Sequence, residues 1–172
     1  MIDFLNALEF KQVIWMIPFV LLLHELEEWN IRGWHVENSM DVPGETALST
    51  RMWILFLSLL GFAWTALASL IPDTSISVGV MYALVCFTLL NGLQHLIGSL
   101  RFKKYNPGLF FSVVFGIPAG VYITYQILAQ NLLPVWVIIT FGVLTLASLL
   151  ATFPMIRFIN RFGIKLANWI SN

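Results

Sequence analysis

The sequence predicts an all-α fold, namely a polytopic membrane bundle of five transmembrane helices followed by a C-terminal amphipathic helix. Three observations predict it: the composition, five long apolar runs, and a one-sided distribution of basic residues. The chain of 172 residues is 59% hydrophobic and only 10% charged, with a mean hydropathy of +0.84, whereas soluble domains carry about 25% charged residues. No repeat or linker divides the chain, so residues 1–172 are expected to form a single integral membrane domain.

The composition also argues against two classes of function. The formal net charge is zero, so there is no electrostatic argument for a nucleic-acid partner. The single cysteine, Cys86, allows neither an intrachain disulfide nor a cysteine-based zinc site.

The five apolar runs are each long enough to cross about 30 Å of hydrocarbon. We place the spans near residues 12–29, 52–71, 78–100, 108–130 and 134–156. The first run differs from a cleavable signal peptide, because Asp3 and Glu9 precede it and a charged cluster follows where a small-residue cleavage site is required.

Basic residues set the expected orientation. With five spans, Lys11 alone lies on the N-terminal side, and the other eight of the nine Lys and Arg residues lie on the opposite side. The positive-inside rule then places the protein in the cell membrane with its N-terminus outside and its C-terminus in the cytoplasm. In the tail, Arg157, Arg161 and Lys165 recur every four residues among apolar side chains. This spacing predicts an amphipathic helix on the cytoplasmic leaflet, or a polar-edged extension of the last span.

Four ionisable residues end the first apolar run, where they are costly and therefore indicate function. His24, Glu27 and Glu28 have the i, i+3, i+4 spacing of one helix face. Glu25 points away from this face, and we expect it to face water or to pair with an arginine at the membrane surface. His35, in the polar loop 30–50, is expected to be an interfacial residue.

A second polar group lies in the third span. Asn91, His95 and Ser99 form a stripe at i, i+4, i+8, with Gln94 beside it. His24 and His95 each lie five residues before the cytoplasmic end of a predicted span, a depth of roughly 7.5 Å at about 1.5 Å per residue. We therefore expect the two histidines to meet in one cytoplasm-facing cavity.

The segment Tyr105-Asn106-Pro107-Gly108 has strong turn chemistry, since proline fixes one dihedral angle and glycine permits a positive φ. It is expected to place the Tyr105 hydroxyl at the mouth of the same cavity. The candidate catalytic residues are therefore His24, Glu27, Glu28, Asn91, His95 and Tyr105.

These motifs resemble the signature of the HXXEE family of integral membrane proteins. His24-x-x-Glu27-Glu28 matches the family motif, His95 resembles its further histidine, and Tyr105-Asn106-Pro107-Gly108 resembles its Tyr-x-Pro-Gly motif. The resemblance implies a membrane protein with a shared site, and it implies no particular activity.

Three hypotheses fit the polar groups. The first is a membrane enzyme that isomerises, cyclises or hydrolyses a lipid or isoprenoid-like substrate, because a low-dielectric pocket shifts proton affinities as acid–base catalysis requires. The second, compatible with the first, is a zinc or iron site formed by His24, His95 and either Glu27 or Glu28, with Glu28 preferred. The third is a proton-linked transporter or a binding protein for a hydrophobic or amphiphilic small molecule. The absence of an inverted repeat in the sequence counts against a transporter.

Overall fold

The computed structural model describes residues 10–38, 40–41 and 43–171. The predicted N-terminal features, including Asp3 and Glu9, lie outside these ranges. Every regular element in the described residues is helical. The helices in chain order are α1 (Phe10–Val13), α2 (Met16–Glu27), α3 (Ile31–Glu37), α4 (Ala47–Leu70), α5 (Thr74–Phe102), α6 (Leu109–Phe111), α7 (Ile117–Ala129), α8 (Val135–Ser148) and α9 (Thr152–Ser171). A π-helical turn, Ser112–Gly116, joins α6 to α7, and a 3₁₀ turn, Leu149–Ala151, joins α8 to α9.

The ends of the long helices follow from local chemistry. Thr46 caps α4 by accepting a hydrogen bond from the Ser49 amide at 3.0 Å, and the Ser49 hydroxyl accepts from the Thr46 amide at 2.9 Å. This reciprocal capping box satisfies two amides that the helix leaves unpaired. Asp73 caps α5 through the Ile76 amide at 2.9 Å. Lys103, with a φ of 52°, ends α5 in the left-handed conformation.

Three of the five predicted spans are confirmed as helices long and apolar enough to cross a membrane: Ala47–Leu70, Thr74–Phe102 and Leu109–Ala129. The other two predicted spans contain shorter helices. Met16–Glu27 has 12 residues and Val135–Ser148 has 14, which correspond to about 18 Å and about 21 Å. Each continues into a further short element, α1 before the first and the 3₁₀ turn after the second.

Two prolines explain where helices are interrupted. Pro118 has no amide hydrogen and cannot donate to the carbonyl four residues earlier, as a regular α-helix requires. The Ile117 amide donates to the Ser112 carbonyl, five residues earlier, and this bond defines the π-helical turn. The second proline, Pro18, is the third residue of α2. The break lies upstream at Ile14 and Trp15, so that Pro18 belongs to the first turn of α2, where a missing amide is tolerated.

Helix α5 runs through the middle of the apolar core, where its buried side chains pack with those of α2 and α7. Glycines allow the closest approaches. A Cβ added at Gly120 would lie 2.6 Å from Leu89, and one added at Gly61 would lie 2.9 Å from Leu21. Close packing of this kind is typical of helices in membranes.

The predicted C-terminal helix is present as α9, and it packs along α4. Phe162 contacts the rings of Trp53 and Phe56 at centroid distances of 5.7 Å and 5.1 Å. Arg161 and Lys165 are exposed on the other side of α9. Phe162 therefore faces α4 while Arg161 and Lys165 face away from it, and the position of α9 relative to a bilayer stays a prediction.

Candidate functional site

The two predicted histidines meet on one carboxylate. Glu28 Oε1 lies 3.2 Å from His24 Nε2 and 2.7 Å from His95 Nε2. The imidazole rings are 4.7 Å apart between centroids and nearly perpendicular, at 73°. His24 and His95 are only 3% and 8% exposed. The convergence of α2 and α5 expected from matching depth is therefore present in the structure.

The far side of His24 is held by the turn between α5 and α6. Its Nδ1 lies 2.9 Å from the Gly108 carbonyl and 2.9 Å from the Ser112 hydroxyl. Because a carbonyl can only accept, Nδ1 carries the hydrogen and donates it. Nε2 is then an acceptor: it lies beside Glu28 and accepts a hydrogen bond from the Asn91 side-chain nitrogen at 2.8 Å.

The contact between His24 and Glu28 has an electrostatic consequence. In a neutral His24 of this tautomer, Nε2 accepts a hydrogen bond from the Asn91 amide, and Glu28 Oε1, a second acceptor, lies 3.2 Å from it. A metal ion bound to both acceptors would offset the repulsion between them. His24, Glu28 and His95 also offer ligand atoms that all lie within 4.8 Å of one another. The geometry is thus suited to holding a cation.

Gly108 lies directly against the side chains of His24, Glu28 and His95. Its φ is +91°, a conformation that L side chains rarely adopt. A Cβ added there would lie 2.5 Å from His24, 2.7 Å from Glu28 and 2.8 Å from His95. Glycine is therefore required both by the turn and by the space that the three side chains occupy.

Glu27 and Tyr105 interact with each other beside this cluster. The Glu27 carboxylate accepts hydrogen bonds from the Phe110 amide at 3.1 Å and the Phe111 amide at 2.9 Å. The Tyr105 hydroxyl donates to the same carboxylate. These contacts cap the first turn of α6 and tie it to α2. The predicted chemical roles of Glu27 and Tyr105 stay predictions, since neither residue lines the cavity described next.

A cavity of about 320 Å³ lies beside the cluster, among α2, α3, α4 and α5. Its polar lining comprises Glu25, Glu28, His35, Thr50, Asn91, Gln94, His95, Arg101 and Asn106. Its apolar lining includes Ile31, Trp34, Trp53, Ile54, Leu57, Phe87 and Phe102. A concave chamber that combines apolar walls with convergent polar groups is typical of small-molecule sites.

Several residues that line the cavity have buried polar atoms without a hydrogen-bond partner. In the described part of the chain, four buried side-chain atoms have no hydrogen-bond partner: Glu25 Oε2, Trp34 Nε1, His95 Nδ1 and Asn106 Oδ1. All four belong to residues that line this cavity. Buried polar groups are usually paired, so these four atoms leave the residues of the cavity wall with unused hydrogen-bonding capacity.

Two expectations about neighbouring residues are wrong. Glu25 does not face water, because it is 1% exposed and lines the cavity. Glu25 and Glu28 are three residues apart and therefore neighbours on the helix surface, so both reach the cavity. His35 is not an interfacial side chain, since it is buried and lies 2.9 Å from Glu45 Oε1. Both side chains belong to the wall of the cavity that lies among α2, α3, α4 and α5.

The polar stripe on α5 divides between two environments. Asn91 and His95 belong to the site, and Gln94 lines the cavity. Ser99 instead donates to the Lys104 carbonyl at 2.7 Å in the turn that follows α5.

The comparisons with known proteins agree with these motifs. The sequence model described as "Protein of unknown function with HXXEE motif" matches residues 15–123. The chain belongs to the HXXEE family. The matched region contains the cluster and the Gly108 turn, so the family motifs coincide with the site.

One relative extends the similarity beyond the motifs. The uncharacterized protein YrkK of Bacillus subtilis (strain 168) is 25% identical over 142 residues, which cover 80% of this chain and 89% of that protein. No solved structure matches the chain significantly.

Proposed function

We propose that this HXXEE protein is an intramembrane enzyme that acts on a lipid or isoprenoid-like substrate by acid–base chemistry. The observation that supports it is the position of the cluster. Glu28 and His95 line a cavity of about 320 Å³ whose other walls are largely aromatic and aliphatic. A histidine–carboxylate group beside an apolar chamber can move protons to and from a bound amphiphile. The candidate reactions are isomerisation, cyclisation and hydrolysis of this substrate.

The lining supports an amphiphilic substrate. Ile54, Leu57 and Phe87 provide apolar surface for a hydrocarbon chain or ring. The unpaired atoms of Trp34 and Asn106 supply one donor and one acceptor for a polar group such as a hydroxyl. A purely apolar ligand would leave these atoms unsatisfied at a cost of about 1–3 kcal/mol each.

A divalent metal, zinc or iron, is part of the proposal. His24, Glu28 and His95 are nitrogen and oxygen ligands of the kind that catalytic zinc and iron sites use with a position left open. The hydrogen bond from His24 Nδ1 to the Gly108 carbonyl is the outer contact that orients metal-bound histidines. A metal held there would activate water or polarise a substrate oxygen.

We further propose that the chain crosses the cell membrane five times, with its C-terminus in the cytoplasm. Residues 10–27 and Val135–Ala151 would supply the first and last crossings through their paired elements. At about 1.5 Å per residue these segments reach about 26 Å, close to the hydrocarbon thickness of about 30 Å. The cluster would then open toward the inner leaflet, from which an amphiphile can enter through one opening.

The test compares lipid extracts by mass spectrometry. Cells that produce the native protein, His24→Ala or Glu28→Gln are compared with cells that produce Glu37→Gln, a control that neutralises an exposed carboxylate outside the cavity. We expect a lipid species to change with the native protein and with Glu37→Gln, and to remain unconverted with the two site variants. Unchanged lipids combined with His24-dependent uptake into sealed vesicles would replace the enzyme with a proton-linked transporter.

The metal is tested separately by elemental analysis of purified protein. About one zinc or iron per chain is expected, with loss of the metal in His24→Ala. A stoichiometric metal that survives this substitution would place the ion elsewhere. If several purifications give metal-free protein, the metal is refuted and the acid–base site stands without it.

A further inference from the structure

We infer that His35 and Glu45 form a second acid–base centre of the same cavity, so that a bound amphiphile meets two separate histidine–glutamate groups. The inference rests on the proposed function. It adds residues outside the cluster of His24, Glu28 and His95, and it narrows the reaction.

The geometry of the second centre is that of an oriented histidine. His35 Nδ1 lies 2.9 Å from Glu45 Oε1, and the two side chains are 10% and 2% exposed. His35 lines the cavity, whereas Glu45 does not. A carboxylate bound to one imidazole nitrogen fixes the tautomer and leaves the other nitrogen for proton exchange.

The carboxylate is itself held from behind. The Thr50 hydroxyl lies 3.3 Å from Glu45 Oε1 and 3.0 Å from the Thr46 carbonyl, either of which can accept its hydrogen. Arg32 Nε donates to the Glu45 backbone carbonyl at 3.0 Å. The capping box at the start of α4 follows immediately in sequence. Glu45 is thus positioned by both neighbouring helices.

Helix α3 is also fixed over the cavity. Trp34 packs edge-on against Phe102 of α5 at a centroid distance of 5.3 Å. The His35 carbonyl accepts a hydrogen bond from the Met40 amide at 2.8 Å, which closes the turn after α3. A histidine that served only to anchor this loop would have no need to line the cavity, and His35 does line it.

Two centres favour reactions in which a proton leaves one atom of the substrate and another proton arrives elsewhere. In an isomerisation, one centre removes a proton from carbon, and the electrons of that C–H bond form a new double bond. The electrons of the original double bond then take a proton from the other centre, and a new C–H bond forms. A cyclisation begins with the protonation and ends with the deprotonation. Both reactions balance without an oxidant or co-reactant, so we assign an unsaturated amphiphile as the substrate class.

The experiment uses purified full-length protein in vesicles made from the lipid extract of cells that lack it. After incubation in D₂O, mass spectrometry should show a lipid isomer that carries one added deuterium on carbon. His35→Asn retains an amide that can donate to Glu45 but removes the proton-exchanging nitrogen. Since general acid–base groups contribute about 10²–10⁴-fold, we expect His35→Asn to slow isomer formation by at least about 100-fold.

Two further measurements separate a chemical role from a structural one. The amount of lipid that co-purifies with His35→Asn and its apparent Tm should match those of the native protein. Glu37→Gln, which neutralises an exposed carboxylate of α3 outside the cavity, should retain the full rate.

The outcomes distinguish the inference from the proposed function. If His24→Ala abolishes conversion while His35→Asn leaves the rate unchanged, the second centre is refuted and the enzyme stands. If the rate of His35→Asn falls only in proportion to lost folded protein or lost lipid, the role is structural and the inference is refuted. If native protein converts no lipid, the proposed function is refuted, and the inference that rests on it is refuted with it.

Discussion

Replacing Gly108 with alanine should spread the histidine–glutamate cluster. The substitution meets two penalties. Alanine at a φ of +91° costs about 1–2 kcal/mol relative to glycine. Its Cβ would also lie 2.5–2.8 Å from His24, Glu28 and His95, and overpacking of this kind costs about 1–3 kcal/mol.

The expected total is about 2–5 kcal/mol. For chains of this size, 1 kcal/mol shifts the Tm by about 2–4 °C, so the apparent Tm in detergent should fall by about 4–20 °C. If the cluster holds a metal, its content should fall as well, because the three ligands can no longer share one ion.

Substitutions at two other glycines allow the backbone penalty and the steric penalty to be measured separately. Gly44 has a φ of +86°, but an added Cβ would meet only Ile164 at an ordinary 3.6 Å. Gly44→Ala should therefore show the backbone penalty alone. Gly142 has no atom within 4 Å of an added Cβ and no positive φ, so Gly142→Ala should be neutral or slightly stabilising. Apparent Tm values that are equal for Gly108→Ala and Gly44→Ala would refute the steric reasoning about the cluster.

Three further predictions follow from other contacts. Glu27→Gln should weaken the cap of α6 and the contact with Tyr105 and cost about 1 kcal/mol, measured as a lower apparent Tm; an unchanged Tm would show that the cap contributes nothing. Gly163→Ala should loosen α9 from α4, because its Cβ would lie 2.6 Å from the Ser49 carbonyl; trypsin should then cleave after Arg161 faster than in native protein, and equal rates would contradict the packing. Reporter fusions at the two termini should give opposite signals if the chain crosses the membrane five times, and identical signals would exclude an odd number of crossings.

The sequence predicts well whatever depends on neighbours along the chain. Helix periodicity alone places His24 and Glu28 on one face, and the Asn-Pro-Gly turn predicts where the chain reverses after α5. The length and apolarity of three runs predict α4, α5 and the α6–α7 segment, because helix formation in an apolar run needs no distant contact. The pairing of His24 with His95 could be predicted only through their matching depth.

Tertiary packing decided the rest of the site. The sequence assigns Glu25 to water because its neighbour His24 occupies the polar face, yet α3, α4 and α5 surround that end of α2 and leave Glu25 buried. His35 meets Glu45 only because the loop before α4 returns to α3. The contact of Gly108 with the cluster depends on the path of the turn between α5 and α6. Burial depends on which helices pack against one another. Helical periodicity shows which residues share a face, but it does not show which helix will pack against that face.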